Sequence, residues 1–246
     1  MNFWKKKQLD IRFNDISRAA YQYHPVQLAK DVPAHFHETQ ISKYGKFKFP
    51  MCPGTMDLKN YGYIIPAWDH IEILANKSGT ICYLGSMGGN RTSNFHPPRK
   101  MDETLMEGVF EPNGVPLEIF HIGSPWSVEI ANKDVSALVL PAPFHSPFLD
   151  DIYVYPGIVD YGNFTSLNFI FSVKKPGKLS IPAGTPLLQI IPFEAKKIKA
   201  GYGPADDYQV DKAKSIFSSA NQFYRKYISF DKRASIVLDE KKDSNG

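Results

Sequence analysis

The sequence predicts a mainly β protein of antiparallel strands, and three observations support that prediction. Short runs rich in β-branched and aromatic residues recur between Tyr61 and Phe193, separated by turns that contain Gly, Pro or Asn. The 246 residues include 19 Pro and 17 Gly, which favours many short strands joined by tight turns. Only the stretch from Ala213 to Tyr227 has the three- and four-residue apolar spacing of an amphipathic helix.

The residue pattern divides the chain into four predicted regions. The first is mixed in character, and a short helix is expected in it between Ile16 and Lys30. The β domain follows, and the chain then leads through a linker into a C-terminal helix and a polar tail that we expect to be disordered. The regions are an N-terminal extension at 1–60, the β domain at 61–195, the linker and helix at 196–238, and the tail at 239–246.

The predicted strands of the β domain are apolar runs bounded by turn residues. In chain order they are Tyr63–Ile65, Ile71–Leu74, Thr80–Leu84, Leu117–Ile122, Ser127–Ala131, Ala137–Leu140, Ile152–Tyr155, Leu167–Val173, Lys178–Ile181 and Leu187–Phe193. The segment 85–114 lacks an apolar period, so we expect a long loop over the surface there.

The C-terminal helix is predicted from its start signal and its apolar stripe. Asp206 or Asp207, after Pro204, supplies the N-cap. A stripe this apolar is expected to dock on its own domain or on a partner subunit. Its residues are Ala213, Ile216, Phe217, Ala220, Phe223, Tyr224 and Tyr227.

Charge and composition argue against several classes of protein. The formal net charge of +4 is small and the basic residues are dispersed, so no nucleic-acid partner is expected. Lys5, Lys6 and Lys7 are not followed by an apolar segment, and no window has the length to span a bilayer, which favours a cytoplasmic or virion location over export. Cys52 and Cys82 are expected to be reduced, partly buried thiols.

His35 and His37 stand two residues apart, at the spacing of alternate positions in a strand. Two His at alternate strand positions point to one face and can share a metal. Together with Pro182-Ala183-Gly184 they resemble the two motifs of the metal-binding cupin family, which would imply a metal-dependent oxygenase. Leu187 stands where the second motif has a His, so a protein without a metal is the expectation and the cupin-like oxygenase an alternative.

A larger resemblance covers about residues 128–193. Its carriers, in order, are Val128–Asn132, Ser136–Pro141, Gly157–Asp160 and Ile181–Gln189. This order and spacing resemble the dUTPase and dCTP deaminase superfamily, whose fold is a β-clip and whose members usually form trimers. The resemblance implies a β-clip or jelly-roll-like antiparallel core at about 116–195, assembled as a homo-oligomer.

The polar residues of that superfamily are mostly replaced in this chain. The resemblance implies a catalytic Asp at Asp160, but Asn163 stands where a base-stacking Tyr is expected. The phosphate-binding Arg-Ser positions read Ala142-Pro143-Phe144. A triphosphate needs several N–H or cationic donors. The leading expectation is therefore a non-catalytic oligomeric structural or binding protein without a cofactor.

The main alternative is a pyrimidine nucleotide hydrolase or deaminase-like enzyme. In that case Asp160 is the base, Asn163, Gln189 and His145 position the ligand, and Mg²⁺ is the expected cofactor.

A further resemblance concerns uncharacterised proteins of tailed bacteriophages and some bacteria. It is carried by the segment Met51–Pro66 together with the Gly157–Phe193 pattern. It implies a virion-associated protein whose partners are copies of itself, as a trimer, and other virion proteins. From charge and segment length, neither nucleic acid nor a membrane is expected as a partner.

Overall fold

The computed structural model describes residues 10–17, 20–35, 53–85, 99–101, 118–132, 134–195 and 203–212. Every strand pairing among them is antiparallel, which confirms the mainly β, antiparallel fold class. The strands are β1 (Ile11–Asp15), β2 (Gln27–Leu28), β3 (Tyr63–Pro66), β4 (His70–Asn76), β5 (Gly79–Gly85), β6 (Arg99–Lys100), β7 (Ile119–Ile130), β8 (Val135–Pro141), β9 (Ile152–Val154), β10 (Gly157–Val159), β11 (Ser166–Val173), β12 (Gly177–Ile181) and β13 (Pro186–Glu194). The helices are α1 (Ala20–Tyr23), a 3-10 turn (Ala29–Asp31), α2 (Pro53–Asn60) and a C-terminal helix whose described part covers 207–212.

The described strands form three sheets. The first sheet has the order β1-β7-β11-β9, with β6 also paired to β7. The second sheet has the order β10-β8-β13-β3-β2, and the third the order β12-β4-β5. Since β13 lies between β8 and β3, it hydrogen-bonds on both sides and is the central strand of the second sheet.

The inward faces of the three sheets share one buried cluster. Alternation along β8 and β11 places every second side chain in this cluster, as expected for strands with one covered face. Phe171 stacks between Phe120 and Phe169, with ring centroids 5.7 Å and 4.8 Å apart. Burial of these large apolar surfaces is the main source of stability for such a fold.

β7 is one strand of 12 residues, whereas the sequence predicts two strands separated at 123–126. Its pairing with β11 shifts there: Gly123 pairs with Asn168 and Ser127 with Ser166, so β7 has two more residues than β11 in this interval. Pro125 lacks an N–H and lies in this bulge, where no ladder donor is needed. The prediction of a break was therefore wrong.

The described part of 1–60 contributes to two sheets. β1 pairs with β7 and begins with Ile11 opposite Ile130. β2 pairs with β3 through Gln27 opposite Ile64. Helix α1 confirms the short helix that the sequence predicts between Ile16 and Lys30.

The turn from α2 into β3 requires a glycine. Gly62 has φ of +91°, and a Cβ at this position would collide with the carbonyl oxygen of Ile190 in β13. The close approach lets the end of α2 lie directly against the central strand.

The start of the C-terminal helix has a reciprocal cap. Asp206 Oδ1 accepts a hydrogen bond from the Gln209 N–H at 2.7 Å, and Gln209 Oε1 accepts one from the Asp206 N–H at 3.1 Å. This confirms the predicted N-cap at Asp206. The apolar stripe from Ala213 to Tyr227 lies outside the described residues.

Candidate functional site

Asp160 and Asn163 lie together in an exposed turn after β10. The Asp160 carboxylate accepts hydrogen bonds from the Gly162 N–H at 3.0 Å and from Asn163 Nδ2 at 2.6 Å. Its carbonyl oxygen also accepts from the N–H groups of Asn163 and Phe164, at 3.1 Å and 2.9 Å. Asp160 therefore organises its own turn, as Asp often does through side-chain to backbone bonds.

Gln189 is fully buried in the central strand β13, on the face of the second sheet that α2 covers. Its Nε2 donates hydrogen bonds to the carbonyl oxygens of Leu58 at 2.7 Å and Tyr61 at 2.5 Å. The last carbonyls of a helix have no partner inside the helix. Gln189 thus supplies donors to the C-terminal end of α2.

His145 is 2% exposed and lies between two backbone carbonyl groups. Its Nδ1 is 3.2 Å from the Pro33 oxygen, and its Nε2 is 3.2 Å from the Lys59 oxygen. A neutral imidazole has a single N–H and donates to one of them, while an imidazolium donates to both. His145 therefore connects α2 with the segment that follows the 3-10 turn.

The four predicted site residues form two separate pairs within one chain. Gln189 lies opposite Leu140 of β8, whereas Val159, the residue before Asp160, lies opposite Ala137. This is a shift of roughly 10 Å along the strands, and β10 and β13 are two strand spacings apart, roughly 10 Å across the sheet. Gln189 and His145 hold α2, and Asp160 and Asn163 form the exposed turn.

Asp69 and His24 form a pair of titratable groups that the sequence analysis missed. Asp69 is 6% exposed; its Oδ1 accepts from the His70 N–H at 2.8 Å, and its Oδ2 is buried without a hydrogen-bond partner among the described residues. Burial raises the pKa of Asp69, and burial lowers the pKa of His24, against the attraction of the Asp69 charge. Both groups are pushed toward their neutral forms. Because His24 and Asp69 are far apart in sequence, no residue spacing predicts that they interact.

A second polar cluster lies on the third sheet, around the carboxylate of Glu72. His70 Nε2 is 2.5 Å from Glu72 Oε1, Lys178 Nζ is 3.0 Å from Oε2, and Ser180 lies opposite Glu72 on β12. Hydrogen bonds from His70, Lys178 and Ser180 lower the pKa of Glu72 to about 2. Ser180 Oγ is 3.1 Å from the same His70 Nε2 that meets Glu72. In a Ser-His-acid triad the acid holds the other ring nitrogen, so these residues do not have that geometry.

The outer face of the second sheet has an exposed apolar half. Neighbouring side chains of β8, β10 and β13 form it, and we call these residues the outer apolar surface: Leu138, Leu140, Ile158, Ile191 and Phe193. Ile158 is 69% exposed and Phe193 36% exposed. The other half of the face is covered, since Ile64 and Ala142 are buried with Ala29 and Val32 of the segment around the 3-10 turn.

The described residues include no group of three or more His, Cys, Asp or Glu that could hold a metal ion. His35 is exposed, while His37 lies outside the described part of the chain. Cys82 is a free, half-buried thiol as predicted, and burial raises its pKa to about 12. None of the helices in the described ranges is long and apolar enough to cross a membrane.

No protein-family model matches this chain, and no curated protein is detectably similar to it. The resemblances to the dUTPase and dCTP deaminase superfamily and to phage proteins therefore stay predictions.

Replacing Gln189 with Met tests its role at the end of α2. Gln189→Met keeps the side-chain length but leaves the Leu58 and Tyr61 carbonyls without their donor. We expect the free energy of unfolding in urea to fall by about 1–3 kcal/mol. Gln27→Met, on the exposed side of β2, is the matched control and should change it by less than about 0.5 kcal/mol. Equal stability of the two variants would refute the helix-holding role.

Replacing Glu72 with Gln tests the polar cluster of the third sheet. The folded pKa of Glu72 is about 2, below the ordinary value of 4.5, so its ionised form stabilises the fold above pH 4.5 and this contribution is lost as the pH falls from 4.5 to 2. We expect Glu72→Gln to be less stable than the wild type above pH 4.5 and the difference to shrink across that window. Glu129→Gln, which removes an exposed carboxylate of β7, is the control. A constant difference at every pH would contradict the assignment. The measurement is the urea midpoint as a function of pH.

Proposed function

We propose that this protein is a non-catalytic structural or binding protein that functions as a homo-oligomer. The observation that carries this proposal is the outer apolar surface, which lies beside the short edge strand β10 of the second sheet. Monomeric soluble proteins rarely expose contiguous apolar patches of large area, and such patches mark interaction sites.

The partner that suits the outer apolar surface best is a second copy of the chain. Its five residues carry no charge, so another copy of the chain can cover the surface without burying unpaired ions. β10 is hydrogen-bonded to β8 on one side, and among the described strands none pairs with its other side. An open strand edge is a template for pairing with another chain. The open edge of β10 and the outer apolar surface together offer backbone hydrogen bonds and apolar contacts to the same partner.

Three observations support the non-catalytic half of the proposal. Both carboxylate oxygens of Asp160 accept hydrogen bonds within its own turn. Gln189 and His145 bond to the backbone of α2 and its neighbour instead of facing an open cleft. Ala142 is 0% exposed in an apolar cluster, at a position where the superfamily has a phosphate-binding Arg or Ser. Apolar packing there leaves no donor for a phosphate.

The trimeric state and the virion role are proposed on the resemblances alone. β-clip enzymes are usually trimers, and the segments Met51–Pro66 and Gly157–Phe193 resemble proteins of tailed bacteriophages. We therefore propose a trimer that associates with other virion proteins.

Purified protein is expected not to hydrolyse dUTP or deaminate dCTP in the presence of Mg²⁺. The reason is that the Asp160 carboxylate is engaged in its turn and the phosphate donors are replaced. The measurement is product formation by chromatography, with Asp160→Asn as the matched variant. Turnover by the wild type that is lost in Asp160→Asn would establish the nucleotide enzyme instead.

The oligomer is expected to have three times the 27.8 kDa mass of one chain when measured by light scattering after size-exclusion chromatography. Ile158→Lys places a charge in the outer apolar surface and should lower the mass toward that of one chain, since burying an unpaired ammonium group is strongly unfavourable. Ile81→Lys is the control, because Ile81 is 61% exposed on β5 of the third sheet. A monomeric wild type, or equal effects of both substitutions, would overturn the proposal.

A further inference from the structure

The apolar stripe that the sequence predicts for the C-terminal helix needs a surface to cover it. The first turns of this helix are described and capped by Asp206, whereas the stripe from Ala213 to Tyr227 lies outside the described residues. The large members of the stripe are Ile216, Phe217, Phe223, Tyr224 and Tyr227. A helix of about 15 residues is only marginally stable alone, because most helical stability comes from packing of an apolar face. We therefore expect the stripe to be bound to an apolar surface.

The outer apolar surface has dimensions that suit one helix. Leu138 lies opposite Ile158 on one side and Ile191 on the other, so three apolar side chains form a row across three strands, roughly 10 Å wide. Leu140 and Phe193 extend the surface to roughly 13 Å along the strands. A helix is about 10 Å wide and rises about 5.4 Å per turn. Two to three turns of the stripe thus have the size of this surface.

The charges that border the surface and the stripe are of opposite sign. Exposed acidic residues lie at the end of the second sheet where Phe193 lies: Asp134, Asp160 and Glu194. The charged residues between 213 and 227 are all basic: Lys214, Arg225 and Lys226. Opposite charges at the rim of an interface favour association and fix its orientation. The acidic end of the surface therefore suits the basic polar side of the predicted helix.

The described start of the helix favours a neighbouring copy over the helix's own chain as the place where the stripe docks. Residues 203–212 are all exposed, with Tyr208 at 73% and Val210 at 38%. Its first turns thus face solvent instead of lying on the body of the same chain. Ile158 is 69% exposed in the single chain and stands on β10, whose second edge is open among the described strands. A neighbouring copy at this edge brings its own helix to the surface.

We propose that the apolar stripe of the C-terminal helix of one chain covers the outer apolar surface of a neighbouring copy. This inference rests on the proposed homo-oligomer, and it names the segment of the partner that makes the contact.

The first test compares two substitutions at adjacent positions of the full chain. Phe217→Glu places a carboxylate in the stripe, so the mass measured by light scattering should fall from three chains toward one, because burial of an unpaired charge is strongly unfavourable. Ser218→Glu adds the same charge on the polar side of the predicted helix and should leave three chains. A cooperative urea transition, followed by tryptophan fluorescence, checks that both variants are folded.

The second test identifies which chain supplies the helix. In a background with Cys52→Ala and Cys82→Ala, a tagged chain with Ser136→Cys is co-expressed with an untagged chain with Ala220→Cys. Ser136 lies opposite Phe193 beside the outer apolar surface, and Ala220 belongs to the stripe. A short bismaleimide cross-linker should join the tagged and the untagged chain. Ile81→Cys on the third sheet, in place of Ser136→Cys, is the control and should give at least tenfold less of the mixed pair.

The outcomes separate this inference from the proposed function. A monomeric wild type refutes the homo-oligomer itself. A wild-type oligomer that keeps its mass in Phe217→Glu refutes the role of the stripe and leaves the homo-oligomer standing. Absence of the mixed pair, or equal yields with Ile81→Cys, also refutes that role. A cross-link that forms only within one chain carrying both Ser136→Cys and Ala220→Cys means that the helix covers its own chain, which overturns the proposal.

Discussion

The contacts of Gln189 and His145 with the end of α2 hold this helix against one face of the second sheet. A helix of eight residues is too short to be stable alone, so it forms only where something outside the helix binds it. Gln189 on the central strand supplies donors at the end of the helix that lacks them, and His145 Nε2 lies 3.2 Å from the Lys59 carbonyl oxygen at the same end. Gly62 allows the contact by leaving room for the Ile190 carbonyl.

This arrangement divides one face of a sheet into two environments. On the covered half, the Gln189 amide is buried at 0% exposure with its Nε2 bonded to backbone carbonyls, and Ile64 and Ala142 are buried beside it. On the other half, Ile158 and Phe193 remain in contact with water. The same strands thus support internal packing at one end and carry an exposed apolar surface at the other.

Much of the strand pattern was readable from sequence, because β-branched runs with period two require a pleated, half-buried surface. Pro125 is the reason for the wrong prediction of a break in β7, because a proline normally interrupts a strand. The bulge that accommodates Pro125 is visible only in the register of β7 with β11. In the nucleotide-enzyme alternative the sequence predicts Gln189 and His145 as ligand-positioning residues, whereas the structure places both against backbone carbonyl groups. The sequence does not predict their hydrogen-bond partners, because residues such as Gln189 and Leu58 are far apart along the chain.

The pairing of β1 with β7 also affects the order in which the chain folds. β1 pairs with β7, where Ile11 lies opposite Ile130, and β4 pairs with β12, where Ala75 lies opposite Gly177. The first and third sheets therefore both join parts of the chain that are far apart in sequence. Sheets of this kind fold slowly, because the chain loses entropy in closing a long loop before the strand contacts can form and stabilise it. During synthesis β1 emerges long before its partner strand, with its edges unpaired and prone to contacts with other chains. Among the described strands, β1 is therefore one that stays without its partner until a distant part of the chain has been made.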